Sequence, residues 1–279
     1  MSNTAYSPIK HLAYALFLNH DPENTLMMLS AYFDASASQQ GTRVMTMAGF
    51  VSTPKKWEKF EKYWNGVLRQ YEVPYLHMKE FNHSTGAFKS WKGEESRRKQ
   101  FLIDLITVAK KYVHKGAVCS VRLEDFRAVN KDFKLREHWG CEYSFVGMSV
   151  VTTVMKWKKK HFPFAKIKYV FEDGDTGHGH LKRCLKAENL PYLFIPKKEE
   201  QNGTFQYIVP FQLADFAAWE NQAAYARYHD GRYDGRNIDD PLKNLRGSFQ
   251  ALYKQIPSIV SAVSQENLRA LCHSRGLLR

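Results

Sequence analysis

Apolar residues along the chain fall into short continuous runs and helical stripes. TLMMLSAYFD (25–34) is an apolar run that ends on an acid, as a buried strand does, and the polar stretch SASQQGT follows it. RVMTMAGFVS (43–52), with Val44, Met47 and Phe50 among its apolar residues, reads as the hairpin partner of that strand. From Pro54, at a favoured first-turn position, Trp57, Phe60, Trp64, Leu68 and Tyr71 recur at helical spacing, so a helix with a core-facing stripe is expected. VPYLHM (73–78) reads as a short extended piece. Residues 94–113 repeat the helical pattern through Phe101, Leu102, Leu105, Ile106 and Ala109, and AVCSVRL (117–123) is a strand. A long helix is expected over 137–160. KIKYVFEDGD (166–175) is the most strand-like segment and runs into an acidic, glycine-containing loop. HGHLKRCLKAEN (178–189) is then helical, PYLFIP (191–196) a strand and 210–229 a helix. Beyond the polar loop DGRYDGRNIDDP (230–241), two more helices are expected.

Two early strands, then helices alternating with strands, then terminal helices describe an α/β domain with a mixed sheet. The reading is one domain over 1–279, with a core at about 26–229 and a helical appendage at about 237–279. No internal repeat or low-complexity tract interrupts it.

Asp215 breaks the apolar stretch PFQLADFAAW (210–219). On a helix it shares a face with Phe211, Ala218 and Trp219, at spacings of three and four residues. A carboxylate turned toward a core needs a basic partner, a hydrogen-bond network or a metal. Two other acid positions are similar in kind: Asp34 where one strand ends, and Glu172, Asp173 and Asp175 where another ends. Ligands of open α/β sheets gather at the carboxyl edge of the strands, where Asp34 and the Glu172 group would meet. Along the second strand Lys168, Val170 and Glu172 share one face and Tyr169, Phe171 and Asp173 the other, so Glu172 is expected to join Asp34. Carboxylates brought together repel unless a divalent cation holds them, and hard oxygen ligands favour Mg²⁺ or Mn²⁺ over Zn²⁺. Singly, each acid has a plainer role: Asp34, Asp173 or Asp175 as turn former or helix cap, Asp215 as partner of a buried base.

Charge narrows the partner class. Lys and Arg number 41 against 28 acids, a formal +13, with clusters such as Lys156, Lys158, Lys159 and Lys160. Such an excess suits nucleic acid, although a solvated basic surface has the same composition. On a basic chain, clustered carboxylates suggest two-metal phosphodiester hydrolysis. Four cysteines without a CxxC pair read as reduced, mostly buried thiols. LAYALFL (12–18) has a weak basic flank and no small-residue cleavage site, so no signal peptide is expected and the chain reads as cytoplasmic. No apolar run approaches the roughly 18 residues that span a bilayer.

YFDASA (32–37), AGFVS (48–52), LHMKEF (76–81), FEDGD (171–175) and QLADFAAW (212–219) together resemble the bacterial domain of unknown function 3800 family. The resemblance runs from about residue 28 to 220. It implies a ribonuclease H-like fold, a mixed central sheet flanked by helices with a C-terminal helical extension, and metal-dependent nuclease activity. By resemblance Asp34 is the first-strand acid, Glu172 or a close neighbour the later-strand acid, and Asp215 the helix acid, with His77 and Glu80 lining the same site. His77 there would shuttle a proton or grip a phosphate, and Glu80 would be a fourth ligand. The plainer alternatives are a core histidine and a helix-capping acid. Where the family often has DESG, this chain has Ala35 and Ala37 in place of the acid and the glycine. One carboxylate is thus missing, and Asp173 or Asp175 is the replacement at hand.

His178 and His180 could ligate a metal from a loop, contact phosphate or do neither. No GxSxG, P-loop or GxGxxG occurs, and HMKEF lacks the HExxH spacing. The leading expectation is an Mg²⁺- or Mn²⁺-dependent nuclease acting on DNA or RNA. The alternatives are a catalytically degenerate nucleic-acid-binding module and a hydrolase of small phosphoesters.

Overall fold

Strand β1 (Met28–Ser36) is the axis of a six-stranded mixed sheet. The computed structural model describes residues 7–9, 12, 28–36, 43–201, 204–229 and 247–277. On one side of β1 lies β2 (Val44–Ser52), antiparallel, with Asp34 opposite Ala48. The hairpin expected between these two strands is therefore present. On the other side lies β4 (Lys166–Glu172), parallel, with Phe33 level with Phe171. β5 (Tyr192–Ile195) extends the sheet beyond β4 in parallel, and β3 (Lys115–Arg122) lies antiparallel to β2. A separate ribbon, β6 (Lys198–Gln201) and β7 (Thr204–Tyr207), stands between β5 and the helix that carries Asp215.

Helices cover both faces, as side chains that alternate along apolar strands require. Tyr32, Phe50 and Val170 face a core shared with α1 (Pro54–Gln70), α3 (Glu95–Tyr112) and α8 (Val209–His229). Phe33, Met47, Val51 and Phe171 face the opposite core. That second face packs α4 (Leu123–Phe133), α5 (Leu135–Trp139), α6 (Glu142–His161), α7 (His178–Ala187) and α10 (Gln265–Ser274). The stripe of α1 is buried as its spacing implies: Trp57, Phe60 and Trp64 are fully enclosed, and Thr53 caps the helix by accepting from the Lys56 amide at 3.3 Å.

Two expectations are corrected and one is refined. The long helix over 137–160 is broken, with α5 ending at Trp139 and α6 beginning at Glu142. Gly140 turns the chain at φ 79°, and a Cβ there would lie 2.0 Å from His180 Nδ1. VPYLHM, expected as a short extended piece, joins no sheet; side chains from α8 bond its amides, and its last residue opens α2 (Met78–His83). The C-terminal extension is not wholly helical. Between α9 (Gly247–Gln255) and α10, residues Ser258–Val263 form β8, which pairs in parallel with β3. Pro257 and the β-branched Ile259, Val260 and Val263 favour extended backbone there, so the chain's end completes the sheet edge. Most of the stretches at 12–18 and 37–42, and the loop from Asp230 to Pro241, lie outside the described residues. Among the described residues, no helix is long and apolar enough to cross a membrane.

Candidate carboxylate–lysine site

β1 and β4 are parallel neighbours, so their carboxyl ends lie side by side. Tyr32 pairs with Val170 and both enter the core beneath α8, so stepping by two puts Asp34 and Glu172 on that same face. Between them stands a residue that sequence reasoning did not name. Lys197 Nζ donates to Asp34 Oδ2 at 2.8 Å and to Glu172 Oε2 at 3.1 Å. Asp34 Oδ1 accepts from the Ala35 amide at 2.7 Å.

Asp215 reaches the same centre from above. α8 lies across β1 and β2, and Asp215, 6% exposed, accepts from the Met78 amide through Oδ2 at 2.7 Å. Three residues earlier, Gln212 Oε1 accepts from the Leu76 amide at 2.8 Å and from Trp64 Nε1 at 3.0 Å. α8 thus holds residues 76–78 in place, with His77 beside the acids. Burial raises the Asp215 carboxyl; Lys197 opposes the rise and Asp34 adds to it.

Acids outnumber the ammonium here. Burial, and then the charge of Asp34, push Glu172 up to about 9 against the pull of Lys197. The same two causes push Asp175 up to about 6, opposed by Lys197 and His178. Asp175 Oδ2 is buried with no hydrogen-bond partner among the described residues. Burial works against the Lys197 charge, yet Asp34, Asp215 and Glu172 outweigh it and hold the ammonium well above the usual lysine range.

His77 and Glu80 form the rim. His77 Nδ1 lies 3.3 Å from Glu80 Oε1, while Glu80 Oε2 accepts from the Tyr75 hydroxyl at 2.9 Å and the Ala87 amide at 3.3 Å. Burial alone would raise Glu80, but the bonds from Tyr75, His77 and Ala87 prevail and its carboxyl lies below the usual range. Glu80 is therefore tied to the rim and its loop; no bond joins it to Lys197.

Asp173 turns outward, half-exposed, and accepts from the Gly174 amide at 2.9 Å, a turn-forming role. Of the two reserve acids, Asp175 stands in the field of the cluster. His178 Nδ1 lies 3.2 Å from the Asp175 carbonyl oxygen, and His180 packs beside Gly140 and contacts Arg183. The lysines Lys156, Lys158, Lys159 and Lys160 are elsewhere. They end α6, which leads into the start of β4, whereas Glu172 ends that strand. Six residue steps of strand, about 20 Å, separate the two edges. Lys158 Nζ donates to the Pro163 carbonyl at 2.9 Å.

Among the described residues, no three His, Cys, Asp or Glu side chains are arranged to hold a metal ion as they stand. The donor chemistry nevertheless fits one. The donors are carboxylate oxygens, the type Mg²⁺ and Mn²⁺ take, and an unpartnered buried oxygen on Asp175 lies among them. Lys197 now occupies the space between Asp34 and Glu172 and is hydrogen-bonded to both. The protein is thus an α/β protein with a buried carboxylate–lysine centre at the carboxyl edge of its sheet. No family model and no curated protein matches the chain.

Proposed function

We propose that this protein is a divalent-metal-dependent nuclease of ribonuclease H-like architecture that hydrolyses phosphodiester bonds of DNA or RNA. The observation that carries the reading is the gathering of Asp34, Glu172 and Asp215 around Lys197 at the carboxyl ends of β1 and β4. An acid on the first strand, one on a neighbouring parallel strand and one on the covering helix are what the family resemblance calls for. Asp34, Glu172 and Asp215 would hold Mg²⁺ or Mn²⁺, which when bound supplies an activated water and stabilises the leaving oxygen. Lys197, once released from its carboxylates, pairs with a non-bridging phosphate oxygen. His77, with Nδ1 engaged by Glu80, keeps Nε2 for the phosphate or the leaving oxygen. The Asp175 carboxyl, pushed up to about 6 by burial and then by the charge of Asp34, would take up a proton.

The test is cleavage of labelled DNA and RNA strands with Mg²⁺, Mn²⁺ or EDTA. Asp34→Asn and Asp215→Asn are each expected to lower turnover about a hundredfold or more. Metal-free stability of Asp215→Asn should be unchanged or higher, because an asparagine oxygen still accepts from the Met78 amide while one like charge disappears. Full turnover in EDTA, or by Asp34→Asn, would refute the proposal.

A second reading, a binding module without turnover, is favoured by one fact: Lys197 already fills the space between two of the ligands. Strand binding in EDTA with no cleavage in either metal would establish it. In both readings the lysines at the end of α6 are an outlying binding surface. Neutralising Lys158, Lys159 and Lys160 together is expected to flatten the salt dependence of binding long strands, by roughly one unit of log–log slope for each phosphate that a lysine no longer neutralises. Turnover of a strand of a few nucleotides should not change, since it does not reach the opposite sheet edge. An unaltered slope on long strands would make the cluster a solvated face.

A further inference from the structure

Next to the carboxylates is a pocket of about 240 Å³ whose walls include Tyr75, His77, Glu80, Glu172, Lys197 and Tyr207. It is smaller than the ~300–1,000 Å³ of sites for drug-sized ligands, so it suits one planar ring system. Its aromatic wall is composite. Tyr75 comes from the segment before α2 and Tyr207 from the end of β7, and their rings lie 4.4 Å apart at 34°. Both are fixed. The Tyr75 hydroxyl donates to Glu80 Oε2 at 2.9 Å, and the Ile208 amide donates to the Lys197 carbonyl at 2.9 Å, which ties the residue after Tyr207 to the lysine of the site. The ribbon therefore delivers an ammonium and an aromatic ring together. Glu80 places an ionised carboxylate on the same wall.

We propose that this pocket is a nucleobase subsite, in which one unstacked base bearing an amino group lies against Tyr207 and Tyr75 while its phosphodiester meets Lys197 and the carboxylates. The inference rests on the nuclease reading and narrows it to strands with an accessible base. Aromatic faces accept any base, because every base has a π-face. The carboxylate of Glu80 adds a preference: it accepts from the amino groups of cytosine, adenine or guanine and repels the carbonyl oxygens of thymine or uracil. A base stacked inside an intact duplex cannot reach such a wall without being extruded. Single strands, ends and extruded bases are then the substrates.

The test is equilibrium binding in EDTA, by fluorescence anisotropy, of labelled strands of one length: oligocytidine, oligothymidine, a fully abasic phosphodeoxyribose strand and a duplex. The parent should bind oligocytidine about tenfold or more tighter than the abasic strand, with oligothymidine between them and the duplex weak. Tyr207→Ala should bind oligocytidine no better than the abasic strand, whose affinity stays as in the parent, and Tyr207→Phe should keep the difference. Equal parent affinities for oligocytidine and the abasic strand overturn the subsite, whatever the variants do. A base preference without cleavage in Mg²⁺ or Mn²⁺ keeps the subsite and removes the nuclease. Cleavage that is indifferent to Tyr207→Ala and to strandedness removes the subsite and keeps the nuclease.

Discussion

Lys197→Met is expected to destabilise the metal-free protein by about 3 kcal/mol, and Mg²⁺ or Mn²⁺ to return most of that stability. Lys197 Nζ bridges Asp34 Oδ2 and Glu172 Oε2, and Asp215 lies within its field. Removing one partner of a buried ion pair leaves the other charge unanswered, a change of about 3–5 kcal/mol. The lower end applies here for two reasons. The Lys197 side chain keeps 22% of its exposure, and Glu172 can take up a proton in place of its partner. A divalent ion would then meet the carboxylates without a competing ammonium. Binding only the folded state, it stabilises by about 2.7 kcal/mol at a hundredfold excess over its dissociation constant. Urea unfolding of parent and variant, in EDTA and in Mg²⁺, measures both quantities. A variant as stable as the parent in EDTA would show that the acids need no cation. A destabilised variant without a metal response would leave Lys197 as a structural counter-ion and favour the binding-module reading.

Sequence patterning located the acids better than it located what answers them. Asp34 and Glu172 were legible because a two-residue period assigns faces, and parallel neighbours bring equivalent ends together. Asp215 was legible because a carboxylate in an apolar helix needs an explanation, and the choice between a basic partner and a metal was open. Lys197 escaped because it sits on no periodic element. It lies in the short connection between β5 and the ribbon, one of two adjacent lysines in a lysine-rich chain. Only the backbone path selects it over Lys198. The basic end of α6 is a different case. Charge density marks a polyanion partner but carries no position, and topology sends that end to the far edge of the sheet. β8 was missed because its strand character is confined to six residues between two helical patterns. Gly140 was the legible mark of the break before α6, where a Cβ would strike the His180 ring.

The metal-free protein is also expected to lose stability as pH rises from about 5 to 9, with Glu172 as the main cause. In the unfolded chain Glu172 gives up its proton near 4.5, and in the folded protein at about 9. Between those values the folded state binds the extra proton, so raising the pH favours unfolding. One proton corresponds to about 1.4 kcal/mol per pH unit, or roughly 3 kcal/mol between pH 6 and 8. Asp175, raised to about 6 from 3.8, adds loss of the same sign below pH 6. His114 works the other way: burial and the charge of Lys56 lower it, so its contribution grows as pH rises toward the unfolded histidine value and is complete above it. The informative quantity is therefore the difference between parent and Glu172→Gln. That variant cannot ionise at this position, so its curve should be flatter and should rise above the parent by pH 8. In saturating Mg²⁺ the order should invert, because ionised Glu172 becomes a ligand that glutamine replaces poorly. Denaturant midpoints at unit pH steps, with EDTA and with Mg²⁺, give all four curves. Parallel metal-free curves for parent and variant would mean that Glu172 carries its charge in the fold unaided. The cluster would then hold no excess of acid for a divalent ion to relieve, and the electrostatic argument for a metal would fail.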